Sequence, residues 1–293
     1  MSLSGILSST SQRRNFLFVS GAVLLIAIIA ILAISYLAPN TPLWNALNNL
    51  TISIVASGVF ALVSGLYIYY FFIDPNDITA KSILLPEDIA ETLEFIAKNA
   101  ADYKIFVRTG RHFRAEILPI LVKRAREARN PIRVEVILID FRDKTVCQKY
   151  ANYRKVASFD RKLWDESYVR QEVLATILEL IRVSRENPGL VDIQLFLSKR
   201  LSTFRIEGSS NEILITREDP KDTAARYFRD HRDFSAFVTE FGWIRDEAYR
   251  VENDVNRVLP ATLEAMFGES AGITNQEKQS AGEATKSPSP YVR

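Results

Sequence analysis

Seven consecutive residues, Arg108-Thr109-Gly110-Arg111-His112-Phe113-Arg114, hold the densest chemistry in the chain. Three arginines and one of only two histidines fall within them. Arginine presents a planar fork of donors that matches phosphate and carboxylate oxygens. A histidine there can exchange a proton or act as a nucleophile. Thr109 is placed to cap a following helix, whose first N–H groups favour anions. The segment reads as a pocket for a phosphate group or a nucleotide, with Arg108, Arg111, His112 and Arg114 as ligand contacts. The residues alone leave a second reading open, an exposed basic turn paired with acids such as Asp140 and Asp143 near Arg142. One glycine is far short of a P-loop or a dinucleotide fingerprint.

Other chemistry is sparse. His231 lies in Arg229-Asp230-His231-Arg232-Asp233 and reads as part of a solvated helix face. Two separate histidines and the single Cys147 supply no metal spacing and no disulfide within the chain. No Gly-x-Ser-x-Gly elbow occurs. Tyr150, Tyr153, Phe159 and Trp164 read as packing aromatics. No catalytic residue, metal ligand or cofactor is therefore assigned.

Holding that turn requires a sheet. Tyr103–Arg108 reads as a short strand that the turn breaks, and His112–Arg129 as the helix after it. Ile132–Asp140 and Val191–Ser198 are the strongest strands, rich in β-branched residues. Pro86–Asn99, Lys144–Val156 and Leu163–Arg185 carry helical periodicity. Thr203–Ile206 and Glu212–Thr216 flank Glu207–Asn211 as a hairpin. Helical character is expected from Ala224 to Phe267. Strands alternating with helices imply a mainly parallel sheet covered by helices, with ligands at the carboxyl ends of the strands. This α/β domain is expected over 74–267, entered through turn chemistry at Asp74-Pro75-Asn76-Asp77. Residues 268–293, poor in large apolar side chains, read as a disordered tail.

Ahead of the domain stand two runs, Asn15–Leu37 and Leu50–Ile73, without Asp, Glu, Lys or Arg. A bilayer core of about 30 Å needs about 20 helical residues, so both read as transmembrane helices, spanning 15–37 and 50–73. The first run is longer than the apolar part of a signal peptide, so cleavage is not expected. Arg13 and Arg14 precede span one, the connector 38–49 is uncharged, and lysines follow span two from Lys81. Positive residues stay cytoplasmic. The expected arrangement is a cytoplasmic N-terminus (1–14), a short external loop and a cytoplasmic domain, in a bacterial inner membrane. Tyr36 and Trp44 would mark the outer interface, and Tyr67, Tyr69, Tyr70, Phe71 and Phe72 the inner one. Ser53, Ser57, Ala61 and Gly65 recur every four residues, a stripe that suits packing within the hairpin or between copies. No charge lies inside either span, which argues against a proton relay.

All 35 acidic residues lie from Asp74 onward, and Arg13 and Arg14 leave 35 of the 37 basic ones there too. The domain thus has no net formal charge, which argues against nonspecific nucleic-acid binding.

The stretch Val191–Asp219, a strand followed by a late hairpin, resembles one half of a phospholipase D-like domain. In that family the hairpin carries His-x-Lys, four residues, then Asp. The histidine attacks phosphorus and the lysine steadies phosphate oxygens. Here that place reads Thr203-Phe204-Arg205, with Ser210 where Asp is due. His112 does not complete the motif either, because Pro119 stands where Asp would follow Arg114. The resemblance implies a member without that catalysis, in which Arg205 retains the phosphate contact. The layout, two spans and a cytosolic α/β sensor, also resembles membrane effectors of bacterial antiphage systems linked to retrons or cyclic oligonucleotides. Its expected role is a non-enzymatic membrane effector, a homo-oligomer among lipids, switched by an anionic ligand, a nucleotide or a cytosolic partner protein. A membrane phosphodiesterase using His112, or a plain scaffold, are the rival expectations.

Overall fold

The computed structural model describes residues 10–37, 39, 41–71, 83–157, 164–217 and 222–288. The expected turn at Asp74–Asp77, Phe72, Ile73 and Phe159 lie outside the described residues. The chain divides into two compact units, Met1–Lys81 and Ser82–Arg293.

The first unit is a pair of helices, α1 (Thr10–Leu37) and α2 (Pro42–Phe71), packed on each other. Both are long and apolar enough to cross a membrane. Phe18 and Phe60 are about three-quarters exposed, so the apolar girth is not the inside of a soluble core. The connector is shorter than the expected 38–49. Pro42 opens α2, where its fixed φ and missing N–H suit a first helical turn, and the Asn45 amide bonds the Thr41 carbonyl at 3.1 Å.

The second unit is built on one eight-stranded sheet. Its elements are β1 (Ile83–Leu84), α3 (Pro86–Asn99), β2 (Asp102–Phe106), a π-helical turn (Phe113–Ile117), α4 (Leu118–Ala128) and β3 (Ile132–Ile139). Then come α5 (Lys144–Ala157), α6 (Glu166–Glu186), β4 (Val191–Ser198), β5 (Phe204–Gly208), β6 (Glu212–Arg217) and β7 (Ala224–Phe228). The chain closes with α7 (Arg232–Glu247), β8 (Tyr249–Arg250), α8 (Leu263–Phe267), a short 3-10 turn (Glu269–Ala271) and α9 (Asn275–Ala284).

The strands lie in the order β1-β7-β6-β5-β2-β3-β4-β8. Only β2, β3 and β4 run parallel. The sheet is therefore mixed, which corrects the expectation of a mainly parallel one. β5, β6 and β7 form an antiparallel meander that joins the free edge of β2. The Tyr-Phe end of Ala224–Phe228 pairs with β6 instead of opening the helix expected from Ala224 to Phe267. That helix begins only at Arg232, where His231 Nδ1 accepts from the Asp233 amide.

Alternation along the strands divides the core between two faces. Val134, Val136 and Leu138 pack with α3, α4 and α6 on one side. Phe106, Ile137 and Phe196 meet Phe234, Phe241 and Ile244 of α7 on the other. The segment expected as a disordered tail is partly folded. Thr274 and Glu277 form a capping box that starts α9, and Ala281 and Ala284 are buried. Its anchors are polar groups on other elements, so its own composition did not announce it.

Candidate functional site

The end of β2 forms the floor of a pocket of about 70 Å³. One water needs ~10–15 Å³ by that measure, so several waters or one small oxyanion fit.

Gly110 makes the turn. Its φ of +73° lies in the left-handed region, and a Cβ there would meet Thr176 Cγ2 at 2.9 Å. Thr176 fastens the turn to α6 by donating its hydroxyl to the Thr109 carbonyl at 2.6 Å. The helix opens at Gly110, whose carbonyl accepts from the Arg114 amide at 2.8 Å, so Thr109 does not stand at its cap position. The next residues run into the π-helical turn Phe113–Ile117. Such wide turns recur at functional sites.

Antiparallel pairing brings the second set of residues. Phe106 faces Ile206, so the start of β5 lies beside the end of β2. Arg108 Nη1 donates to the Phe204 carbonyl at 2.6 Å. Arg205 and Glu207 then reach the same pocket as Arg108, Arg111 and His112. Four of the five ligand contacts expected from sequence are thus brought together.

Arg114 is the exception. Its side chain is 1% exposed and points away from the pocket, onto α6 and α9. It pairs with Glu172 Oε2 at 3.0 Å and donates to Thr176 Oγ1 at 3.0 Å and to the Ala284 carbonyl at 2.9 Å. It clamps the core and is the one expected contact that is not brought to the pocket. The paired basic turn is not what forms either. Asp140 is engaged by Arg142 in a two-pronged pair at 2.8 and 2.9 Å.

The remaining wall includes Tyr150 and Trp164, expected only as packing aromatics, and three residues the sequence did not single out, Arg154, Tyr168 and Glu172. Tyr150 and Arg154 of α5, Trp164 just before α6, and Tyr168 and Glu172 in its first turns all line the pocket. The signal was spacing: Tyr150 and Arg154 are four apart on one helix, as are Tyr168 and Glu172 on the next. The Arg154 guanidinium lies 4.5 Å from the centre of the Trp164 ring, and Tyr168 meets that ring edge-on.

Positive charge prevails in the pocket. Among the described residues, the lining holds Arg108, Arg111, Arg154 and Arg205 with two acids, Glu172 and Glu207. His112 adds no charge near neutral pH. Burial, helped by the field of Arg205, pushes its imidazole down from 6.5 to about 4. Burial likewise raises the Tyr168 hydroxyl, with the Glu172 charge adding to it. Among the described residues no group of three or more His, Cys, Asp or Glu is disposed to hold a metal ion.

In the helical pair, the stripe divides between two jobs. Gly65 is buried, and a Cβ on it would meet Leu17 and Phe16 of α1 at 2.9 and 3.0 Å. Ser53 and Ser57 are exposed. With Ala61 they line an open groove of about 450 Å³ beside Val19, Ser20 and Val23.

No protein-family model, curated protein or solved structure matches this chain.

Proposed function

We propose that this chain is a membrane-anchored, non-enzymatic sensor whose basic pocket binds a phosphate-class anion. Binding would govern how α1 and α2 associate with other copies. One observation carries the reading. Arg108 and Arg111 from one turn and Arg205 from a distant strand converge on a single pocket with room for an oxyanion. Guanidinium groups gathered with few acids favour a multiply charged oxyanion over water.

Kinship with a phospholipase D-like half is part of the proposal. Arg205 stands where that family keeps its phosphate-steadying lysine, and it lines the pocket. Thr203 and Ser210 in place of His and Asp account for lost catalysis. The anchor supports the rest. Two apolar helices with charge confined to one flank suit a bacterial inner membrane with the domain in the cytoplasm. By layout, a ligand-driven cluster of such anchors is suited to breach that membrane in antiphage defence. A ligand acts in this way only if it binds one association state better than the other.

The test is calorimetric titration of the full chain in nanodiscs with inorganic phosphate and pyrophosphate. Arg111→Ala and Arg205→Ala should each weaken binding by about 10-fold or more, as expected for a charge-assisted bond of ~1.5–3 kcal/mol. Arg182→Ala, a surface arginine paired with Glu179 and Glu186, should leave it unchanged. Equal affinity in all three variants removes the pocket from the account.

His112 supports a second reading. A neutral imidazole beside Arg205 is in the state that attacks phosphorus or takes a proton. Cleavage of a phosphodiester by the purified chain, lost in His112→Ala, would establish a phosphodiesterase instead.

A further inference from the structure

We propose that α9 is a latch on the pocket, and that the ligand and the C-terminal segment compete for Arg111. The proposal rests on the pocket binding a phosphate-class anion.

Arg111 reaches two ways. Its Nη1 donates to the Tyr168 hydroxyl in the pocket wall at 3.3 Å, and its Nε donates to the Pro288 carbonyl at 2.9 Å. A neutral carbonyl is a weaker partner for a guanidinium than a phosphate oxygen. A phosphate in the pocket therefore draws Arg111 inward and frees Pro288, which lies four residues beyond the end of α9.

The helix is held by few apolar contacts and mainly by polar ones, among them the Lys278–Glu264 ion pair. Its sequence, NQEKQSAGEA, contains no large apolar residue, and its buried residues are Ala281 and Ala284. A ten-residue helix of that composition does not persist alone in water. Polar contacts dock it. Arg170 Nε pairs with Glu277 Oε1 at 2.8 Å, and Gln171 donates to the Ser280 carbonyl at 3.3 Å. Arg114 donates to the Ala284 carbonyl, where its charge also meets the negative end of the helix dipole.

Arg111 and Arg114 thus bind the C-terminal segment from the same turn that floors the pocket. A ligand that shifts this turn loosens both holds. Linkage makes the effect reciprocal: the closed latch lowers ligand affinity by the factor with which ligand favours the open one.

The test uses the full chain in phosphatidylcholine nanodiscs and a companion chain ending at Thr285, which keeps α9 and lacks Pro288. Inorganic phosphate is titrated by calorimetry, and amide hydrogen exchange is followed across 275–284. Phosphate should speed exchange of α9 in the full chain. The companion should bind phosphate about threefold tighter or better, because its competent state is more populated. Thr274→Ala, which loosens the capping box, should shift affinity the same way. Equal affinity in all three chains, with α9 exchange unchanged by phosphate, overturns the latch and leaves the pocket reading intact. Phosphate binding to none of them overturns both. A parallel arm places phosphatidic acid in the discs. Faster α9 exchange in either arm supports the latch and tells whether the phosphate arrives free or on a lipid. Faster exchange in neither contradicts it.

Discussion

Arg205 and His112 lie 93 residues apart in the sequence yet share one pocket, and the charge of Arg205 helps burial hold His112 neutral. The imidazole stands at about 4 in the fold against 6.5 ordinarily. Between those values the unfolded chain binds a proton that the folded chain does not. The stability tied to this group is complete above pH 6.5 and falls as the pH drops toward 4, by up to ~3 kcal/mol. Denaturant midpoints measured at pH 7 and pH 4.5 should therefore separate widely for the native chain. In His112→Asn the part of that separation due to the imidazole should vanish. An identical separation in both chains would assign the acid sensitivity elsewhere.

Arg114 and Glu172 are a buried pair, 1% and 3% exposed at their side chains. Removing one partner of such a pair leaves a buried charge behind, at a cost of ~3–5 kcal/mol. Arg114→Ala should lower the unfolding midpoint far more than Arg111→Ala, whose side chain is only partly buried. The comparison separates a clamp from a ligand contact within one turn. Equal losses in the two variants would contradict that division.

Much of this architecture was legible in the chain. β3 and β4 stand out as β-branched runs, α3 is bounded as its periodicity implies, and the hairpin around Gly208 is marked by its turn residues. The mixed sheet was not legible, because Ala224-Ala225-Arg226 favours a helix locally and becomes a strand only by pairing with β6. Arg111 and Arg114, three apart, would share a face of a regular helix. The π-helical turn begins between them and holds Arg114, and one arginine faces the pocket while the other enters the core. Four-residue spacing puts Arg154 on one helix face with Tyr150 and Tyr168 on one with Glu172, but only the packing of the two helices brings those faces to the site.

Gly65 and Ser57 lie on the same stripe with different neighbours. Gly65→Leu would drive a side chain into Leu17 and Phe16, and should destabilise the helical pair by ~1–3 kcal/mol through overpacking. Ser57→Leu fills an exposed groove and should leave the pair intact. It should still change the size of the assembly, read by native mass spectrometry from detergent. The reverse assignment of the two effects would overturn the division of the stripe.

Cys147 is buried and its thiol is pushed up to about 12, so it stays out of oxidative cross-linking. A single Ser57→Cys substitution therefore reports on contact between copies. In proteoliposomes treated with a mild oxidant, pyrophosphate should alter the yield of the Ser57→Cys dimer, and adding Arg111→Ala should abolish that response. A dimer yield indifferent to the anion, in a chain that demonstrably binds it, would contradict coupling between the pocket and the membrane helices.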